Sequence, residues 1–215
     1  MSRVFLIPGL GADCRIYKHI NIENYEVVSC NWIEPDLNDT LETYAQKIIN
    51  QFNIQTGDIV IGNSMGGIVA VEIAKKIQVK KAIIISSIKT DSESPLYFRF
   101  FRRFPVFQRI PGKWFSSFDF LLKPIFGKVS NRNVMLFNDM LKNTPPAFIK
   151  WAMRAILSWH NDIVPPNVYH ITGDSDFIFP YKRIKGAQIV KGGTHLMIFT
   201  KAKELNRLLG DILAE

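Results

Sequence analysis

A short apolar run, Asp58-Ile59-Val60-Ile61, leads directly into Gly62-Asn63-Ser64-Met65-Gly66-Gly67 and then into Ile68-Val69-Ala70-Val71-Glu72-Ile73-Ala74. A strand that passes through so tight a turn into a helix is half of a β-α-β crossover, the unit from which parallel sheets are built. The turn also dictates chemistry. A serine placed on it has strained backbone dihedrals, and the positions two before and two after approach too closely to tolerate a Cβ, so glycine is required at 62 and 66. The Ser64 hydroxyl should then stand clear of the sheet edge, with the Met65 N–H at the helix start facing the place where an oxyanion would form. A bare G-x-S-x-G arises by chance in roughly one chain in twenty of this length. The rest of the chain therefore has to agree with it.

Other predicted strand ends carry matching groups. Val4-Phe5-Leu6-Ile7 runs into Pro8-Gly9-Leu10-Gly11-Ala12-Asp13, a loop whose glycines let backbone N–H groups face a ligand. Val168-Tyr169-His170-Ile171-Thr172 opens onto Gly173-Asp174-Ser175-Asp176-Phe177-Ile178-Phe179-Pro180, and Ala187-Gln188-Ile189-Val190 onto Lys191-Gly192-Gly193-Thr194-His195. Open α/β sheets place their ligands just past the carboxyl ends of their strands, where each of these groups sits.

Serine, acid and histidine in that chain order, each in such a context, resemble the α/β-hydrolase superfamily over nearly the whole length. The resemblance implies a nucleophile, Ser64, and a base, His195. In the family pattern the acid lies three residues after the glycine that ends its strand and four before a proline, which from Gly173 and Pro180 is Asp176. Asp174 is the competing choice, although its place beside the glycine better suits a turn. Asp91, just after the strand candidate ending at Ile85, is a reserve acid, because some members carry theirs there. The early loop matches the family's oxyanion loop, making the Leu10 N–H the partner of the Met65 N–H. One departure is Pro8-Gly9 where many members have His-Gly; it touches only the loop's outer hydrogen bonds, since the donor itself is backbone.

The remaining pattern predicts an α/β fold, a doubly wound and mostly parallel sheet of about six strands. Tyr25-Glu26-Val27-Val28 and Lys81-Ala82-Ile83-Ile84-Ile85 supply further strands, the second apolar on both faces as a covered parallel strand is. Leu41, Tyr44, Ala45, Ile48, Ile49 and Phe52 recur at helical spacing after Asn38, Asp39 and Thr40, so residues 40–53 are predicted to be an amphipathic helix. The strand-helix alternation stops between Ile85 and Val168. The family carries a helical cap at this point, which implies a core of residues 1–88 and 166–215 and a cap of residues 89–165, long enough for four short helices. Two leading antiparallel strands of larger members are missing.

The insertion is aromatic and basic. Tyr97, Phe98, Phe100, Phe101, Phe104, Phe107, Trp114, Phe115, Phe118, Phe120, Phe126 and Phe137 either cement its own small core or, for a few of them, face Ser64. Between Leu96 and Arg132 stand Arg99, Arg102, Arg103, Arg109, Lys113, Lys123, Lys128 and Arg132 against Asp119 alone, a balance of +7 beside +8 for the whole chain. Such a rim either draws in acidic substrates or a weak contact with an anionic membrane surface, or is a solvated exterior. No nucleic-acid motif accompanies it, so nucleic acid is not an expected partner.

With 215 residues, 47% hydrophobic and 21% charged, the chain is long and apolar enough for one substantial core. Cys14 and Cys30 lack C-x-x-C or metal-ligand spacing and read as buried or half-buried thiols in a reducing compartment. No metal or cofactor is expected, since no histidine or carboxylate pair has ligand spacing. With no signal-peptide-length or membrane-spanning apolar run, a cytoplasmic location is the expectation. His19, in a helix expected after the early loop, and His170, on a strand, read as structural; His160 sits where the insertion returns to the sheet and is a candidate pocket residue. Together these readings predict a serine hydrolase that cleaves a carboxylic ester or thioester through an acyl-enzyme. The same constellation also supports lyase, acyltransferase or perhydrolase chemistry, and the fold alone can serve a non-catalytic ligand-binding module.

Overall fold

The computed structural model describes residues 2–105 and 130–215. Six strands form one sheet: β1 (Arg3–Ile7), β2 (Glu26–Ser29), β3 (Ile59–Asn63), β4 (Lys81–Ile85), β5 (Val168–Gly173) and β6 (Gln188–Val190). Their order is β2-β1-β3-β4-β5-β6 and each neighbouring pair is parallel. The order reverses direction at β1, so crossovers fall on both faces and the sheet is doubly wound. All six strands lie at the predicted runs, and none is antiparallel among the described residues.

The layers follow from the period of two along each strand. Phe5, Ile7, Val60, Ala82 and Ile84 point to one face, where they pack with α1 (Leu41–Phe52) and α2 (Met65–Lys76). Val4, Leu6, Ile59, Ile61, Ile83 and Ile85 point to the other, against Leu205, Leu208, Leu209 and Ile212. Those three leucines and one isoleucine are the buried residues of the C-terminal helix (Ala202–Ala214). Burying each such side chain contributes about 1.5–3 kcal/mol relative to leaving it in water, so strands apolar on both faces are stable only with helices on both.

Helix α1 starts where predicted. Thr40 caps it, its Oγ1 accepting from the Thr43 N–H at 3.2 Å while Thr43 Oγ1 accepts from the Thr40 N–H at 3.0 Å, and Asn53 ends it in the left-handed region with φ 51°. After the first loop there is only a 3-10 turn, Cys14–Tyr17, in place of the helix expected to hold His19. His19 lies past that turn and is exposed. The buried Tyr17 hydroxyl donates to the carbonyl of Ile7 at 2.7 Å, which ties this turn to the end of β1.

Between β4 and β5 the described chain carries α3 (Leu96–Arg103), α4 (Asn131–Asn143) and α5 (Pro146–Ser158). Phe107, Trp114, Phe115, Phe118, Phe120, Phe126, Arg109, Lys113, Asp119, Lys123 and Lys128 lie outside the described residues. After β6 come α6 (Met197–Thr200) and the C-terminal helix, α7 (Ala202–Ala214). Among the described residues no helix is long and apolar enough to cross a membrane. Cys14 and Cys30 are free, and burial pushes the Cys14 thiol up to about 12, which keeps it protonated and unreactive.

Candidate active site

Ser64 stands between the last residue of β3 and the first of α2, with φ 52° and ψ −119°. That strain is held from several sides. The Ser64 N–H donates to the Ile85 carbonyl at 2.9 Å, and its own carbonyl accepts from Ser87 Oγ at 2.7 Å and from the Gly67 N–H at 2.9 Å. A Cβ at position 62 would lie 2.1 Å from the Gly66 carbonyl oxygen, and one at 66 would lie 2.3 Å from that of Ile7. Both approaches are to backbone, so the turn forms only with glycine there, as the spacing predicts.

The three side chains singled out in the sequence come together across three loops. Ser64 Oγ is 2.9 Å from His195 Nε2, and His195 Nδ1 is 2.9 Å from Asp176 Oδ2 and 3.2 Å from Oδ1. A carboxylate only accepts, so Nδ1 carries the ring proton and Nε2 is left to accept from the serine hydroxyl. Asp176 is itself fixed: its Oδ1 accepts from the N–H groups of Ile178 at 2.8 Å and Phe179 at 3.0 Å. Those two donors, unremarked in the sequence, follow from the turn that Pro180 ends. Asp176 is 3% and His195 8% exposed, so water barely competes for these bonds.

The alternative residues are placed elsewhere. Asp174 Oδ1 accepts from the Gly192 N–H at 2.7 Å and from Ser175 Oγ at 2.9 Å, tying the loop after β5 to the loop after β6. Asp91 faces the surface and meets His160 Nδ1 at 3.3 Å, and the His160 side chain is 69% exposed, so neither reaches Ser64. The reserve acid and the histidine offered as a pocket residue are therefore corrected to a surface pair. His170 is buried; its Nε2 donates to the Ser87 carbonyl at 3.1 Å and its Nδ1 lies 3.3 Å from Lys89 Nζ. Burial, aided by the Lys89 charge, pushes its pKa down to about 3, so it is neutral near pH 7.

On the other side of Ser64 lies the loop after β1. A Cβ at Gly9 would stand 3.2 Å from Ser64 Cβ, which puts Leu10 beside the serine. Met65 is the first residue of α2, so its N–H has no acceptor within the helix. A cavity of about 400 Å³ opens from Ser64, His195, Gly9 and Leu10 and is walled by Tyr97, Phe98 and Phe101 of α3, Phe137 and Leu141 of α4, and Ile149, Met153 and Ile156 of α5. Of the described aromatics of the insertion, these four rings face the serine, whereas Phe100 and Phe104 point outward. A larger cleft of about 630 Å³ lies between residues 31–37 and helices α4 and α5 and contains neither Ser64 nor His195.

The basic residues do not all form a rim. Arg99 and Arg103 are exposed, but Arg102 is half-buried, its guanidinium donating to the carbonyls of Leu157 and, at 3.2 Å, Trp159. It closes the C-terminal end of α5, where helix carbonyls lack partners. Among the described residues no group of three or more histidine, cysteine, aspartate or glutamate side chains converges as a metal site would.

Several solved structures share this fold. A malate-bound thermophilic esterase from Thermogutta terrifontis is 17% identical, with a TM-score of 0.74 over 100% of this chain and 90% of that one. A bromoperoxidase from Bacillus anthracis is 20% identical, with a TM-score of 0.73 over 100% and 92%. A hydrolase from Pseudomonas aeruginosa PA01 is 14% identical, with a TM-score of 0.77 over 100% and 90%. No curated protein matches the chain in sequence. The model of the alpha/beta hydrolase family matches residues 4–208, and the chain belongs to that family.

Proposed function

We propose that the protein is a serine hydrolase that cleaves carboxylic esters or thioesters through an acyl-enzyme. The observation that carries the reading is the continuous hydrogen-bonded line from Ser64 Oγ through His195 to Asp176, with the serine strained into the open and the acid buried. In this reading His195 Nε2 takes the hydroxyl proton as Ser64 Oγ attacks the carbonyl carbon. Asp176 keeps the proton on Nδ1 and stabilises the imidazolium, while the N–H groups of Leu10 and Met65 receive the negative oxygen. Proton transfer from His195 releases the alcohol or thiol. Water then repeats the cycle on the acyl-enzyme, and the serine is regenerated without a cofactor.

The cavity bears on substrate class. Its walls are almost wholly carbon, and the helices between β4 and β5 act in this reading as a cap over the serine. An acyl chain entering it would leave water at about 0.8 kcal/mol per methylene, so specificity should rise with acyl length until about 400 Å³ is full. The test is labelling with a fluorophosphonate, followed by specificity constants for p-nitrophenyl esters of increasing acyl length and the matching thioesters. Ser64 should be the labelled residue and Ser64→Ala should neither label nor turn over. Labelling elsewhere, or full activity in Ser64→Ala, would sink the reading.

A further inference from the structure

The loop proposed to hold the oxyanion is itself held by a tryptophan from the segment that follows β2. Trp32 lies just past the end of β2, and its indole Nε1 donates to the Gly9 carbonyl at 3.1 Å. That carbonyl also accepts from the Ala12 N–H at 3.1 Å, so both its lone pairs are used. Gly9 and Leu10 share this peptide, and the described chain contains no cis peptide bond. In a planar trans peptide the C=O and the N–H point in opposite directions. Fixing the Gly9 oxygen on the Trp32 side therefore fixes the Leu10 N–H on the opposite side. The two bonds differ in kind. The one from Ala12 belongs to the loop and would travel with it, whereas the one from Trp32 ties the loop to the segment that follows β2.

Trp32 is in turn immobilised. The Tyr44 hydroxyl accepts from the Ile33 N–H at 3.0 Å and donates to the Ile33 carbonyl at 2.7 Å, pinning the next residue, and the indole packs on Tyr44 and Phe148 with ring centroids 6.1 and 5.5 Å away. Asn31 Oδ1 holds the far end of the same loop by accepting from the Cys14 N–H at 2.8 Å. This is where the chain departs from the common His-Gly pattern, and an outer bond of the loop comes from the segment after the neighbouring strand.

We infer that Trp32 is a positioning residue, whose indole N–H aims the Leu10 N–H at the oxyanion and so favours the transition state over bound substrate. The inference rests on the acyl-transfer reading above. Two substitutions separate donor from bulk. Trp32→Phe keeps an aromatic ring and removes the donor; Trp32→His loses the outer ring but places Nε2 at the ring position of the indole nitrogen. Losing a whole oxyanion donor costs about 10²–10³ in kcat, so misaiming one in Trp32→Phe should lower kcat by about tenfold or more with KM within about twofold. Affinity for an alkyl trifluoromethyl ketone, whose carbonyl adds Ser64 Oγ to give an oxyanion while the proton passes to His195, should fall in parallel. Affinity for the methyl ketone of the same chain should not. Trp32→His should outperform Trp32→Phe in kcat although it melts lower.

Replacement of Trp32 by benzothienylalanine, which exchanges the N–H for sulfur in the same bicyclic shape, gives the answer if either variant fails to fold, and should behave as Trp32→Phe. If wild-type protein neither labels at Ser64 nor binds the trifluoromethyl ketone, the acyl-transfer reading falls and this inference with it. If it does both while the donor-less variants match it, or if kcat merely follows melting temperature, only the role of Trp32 is overturned.

Discussion

The sheet side of the site is held by backbone packed on backbone, whereas the helices between β4 and β5 are tied on by long side chains reaching carbonyl or carboxylate oxygens. At the elbow, Gly62 and Gly66 let main-chain atoms approach to distances no side chain permits, and the strained Ser64 is bonded to Ile85, Ser87 and Gly67. Over the cavity, Tyr97 Oη reaches the Ile178 carbonyl at 2.7 Å, Trp151 Nε1 reaches that of Asp39 at 2.9 Å, and Trp159 Nε1 reaches Glu72 at 2.8 Å, while Arg102 joins α3 to Leu157 and Trp159 at the end of α5. The difference separates two tolerances. Proton transfer in the proposed mechanism tolerates little error in position, and close-packed main chain supplies that rigidity. Fitting an apolar chain tolerates more, so it can be left to elements joined through side chains.

The sharpest test of this contrast is at the triad. Ser64→Ala and His195→Ala should each lower ester turnover by about 10³-fold or more, with the double variant no worse, because the residues act as a unit. Melting temperature should stay near wild type. Asp176→Asn should lose far more than Asp174→Asn, since an amide at 176 can donate to Nδ1 and favour the wrong imidazole tautomer. A reversed ranking would place the acid elsewhere.

Next in size is the elbow. Gly62→Ala pushes a Cβ to 2.1 Å from a backbone oxygen that has nowhere to go. It should lower stability by well over the about 1 kcal/mol of an average substitution and abolish labelling of any folded remainder. Denaturant midpoints and labelling yield measure both. A folded, fully labelled Gly62→Ala would show that the elbow is not held by main-chain contact.

The bonds that hold the helices of the insertion to one another should show a smaller effect of a different kind. Arg102→Gln removes charged hydrogen bonds to the end of α5 and should cost about 2 kcal/mol, while exposed Arg103→Gln should stay within about 0.5 kcal/mol. Because α3 carries Tyr97, Phe98 and Phe101 into the cavity, Arg102→Gln should also blur the acyl-length profile that Arg103→Gln leaves intact. If Arg103→Gln instead selectively loses anionic substrates at about physiological salt, charge on the insertion takes part in binding.

The smallest effect concerns His170, buried between Ser87 and Lys89, with Glu93 on Lys89 and the Asp176 charge nearby. The unfolded chain protonates this ring near 6.5, and the folded one only near 3. In that window the unfolded state binds more protons, so stability falls as pH is lowered through it. His170→Gln, which keeps a donor for the Ser87 carbonyl, should flatten the decline between about pH 6.5 and 3. Urea midpoints at several pH values measure it; an unchanged slope would mean the ring is not buried as a neutral group.

Much of this was legible in the chain itself, because the information was local. Two-faced apolar runs specify covered parallel strands, Asn38, Asp39 and Thr40 before a helically spaced apolar set specify a helix start, and the spacing of Gly62, Ser64 and Gly66 specifies a turn that only one backbone path satisfies. The same locality placed Asp176 and His195 just past their strands, and separated Asp174, beside its glycine, as a turn residue. What the tertiary structure alone decided depends on partners distant in sequence. Nothing near Asp91 or His160 says that they meet each other at the surface, and nothing near Arg102 says that its charge is spent on carbonyls 55 and 57 residues away. Trp32 carries no motif; its place past a strand end was the one available signal, and its use depends on β2 lying beside β1. Hydrogen bonds between segments far apart in sequence have no periodicity and no fixed spacing, so only the folded chain reveals which polar groups they join.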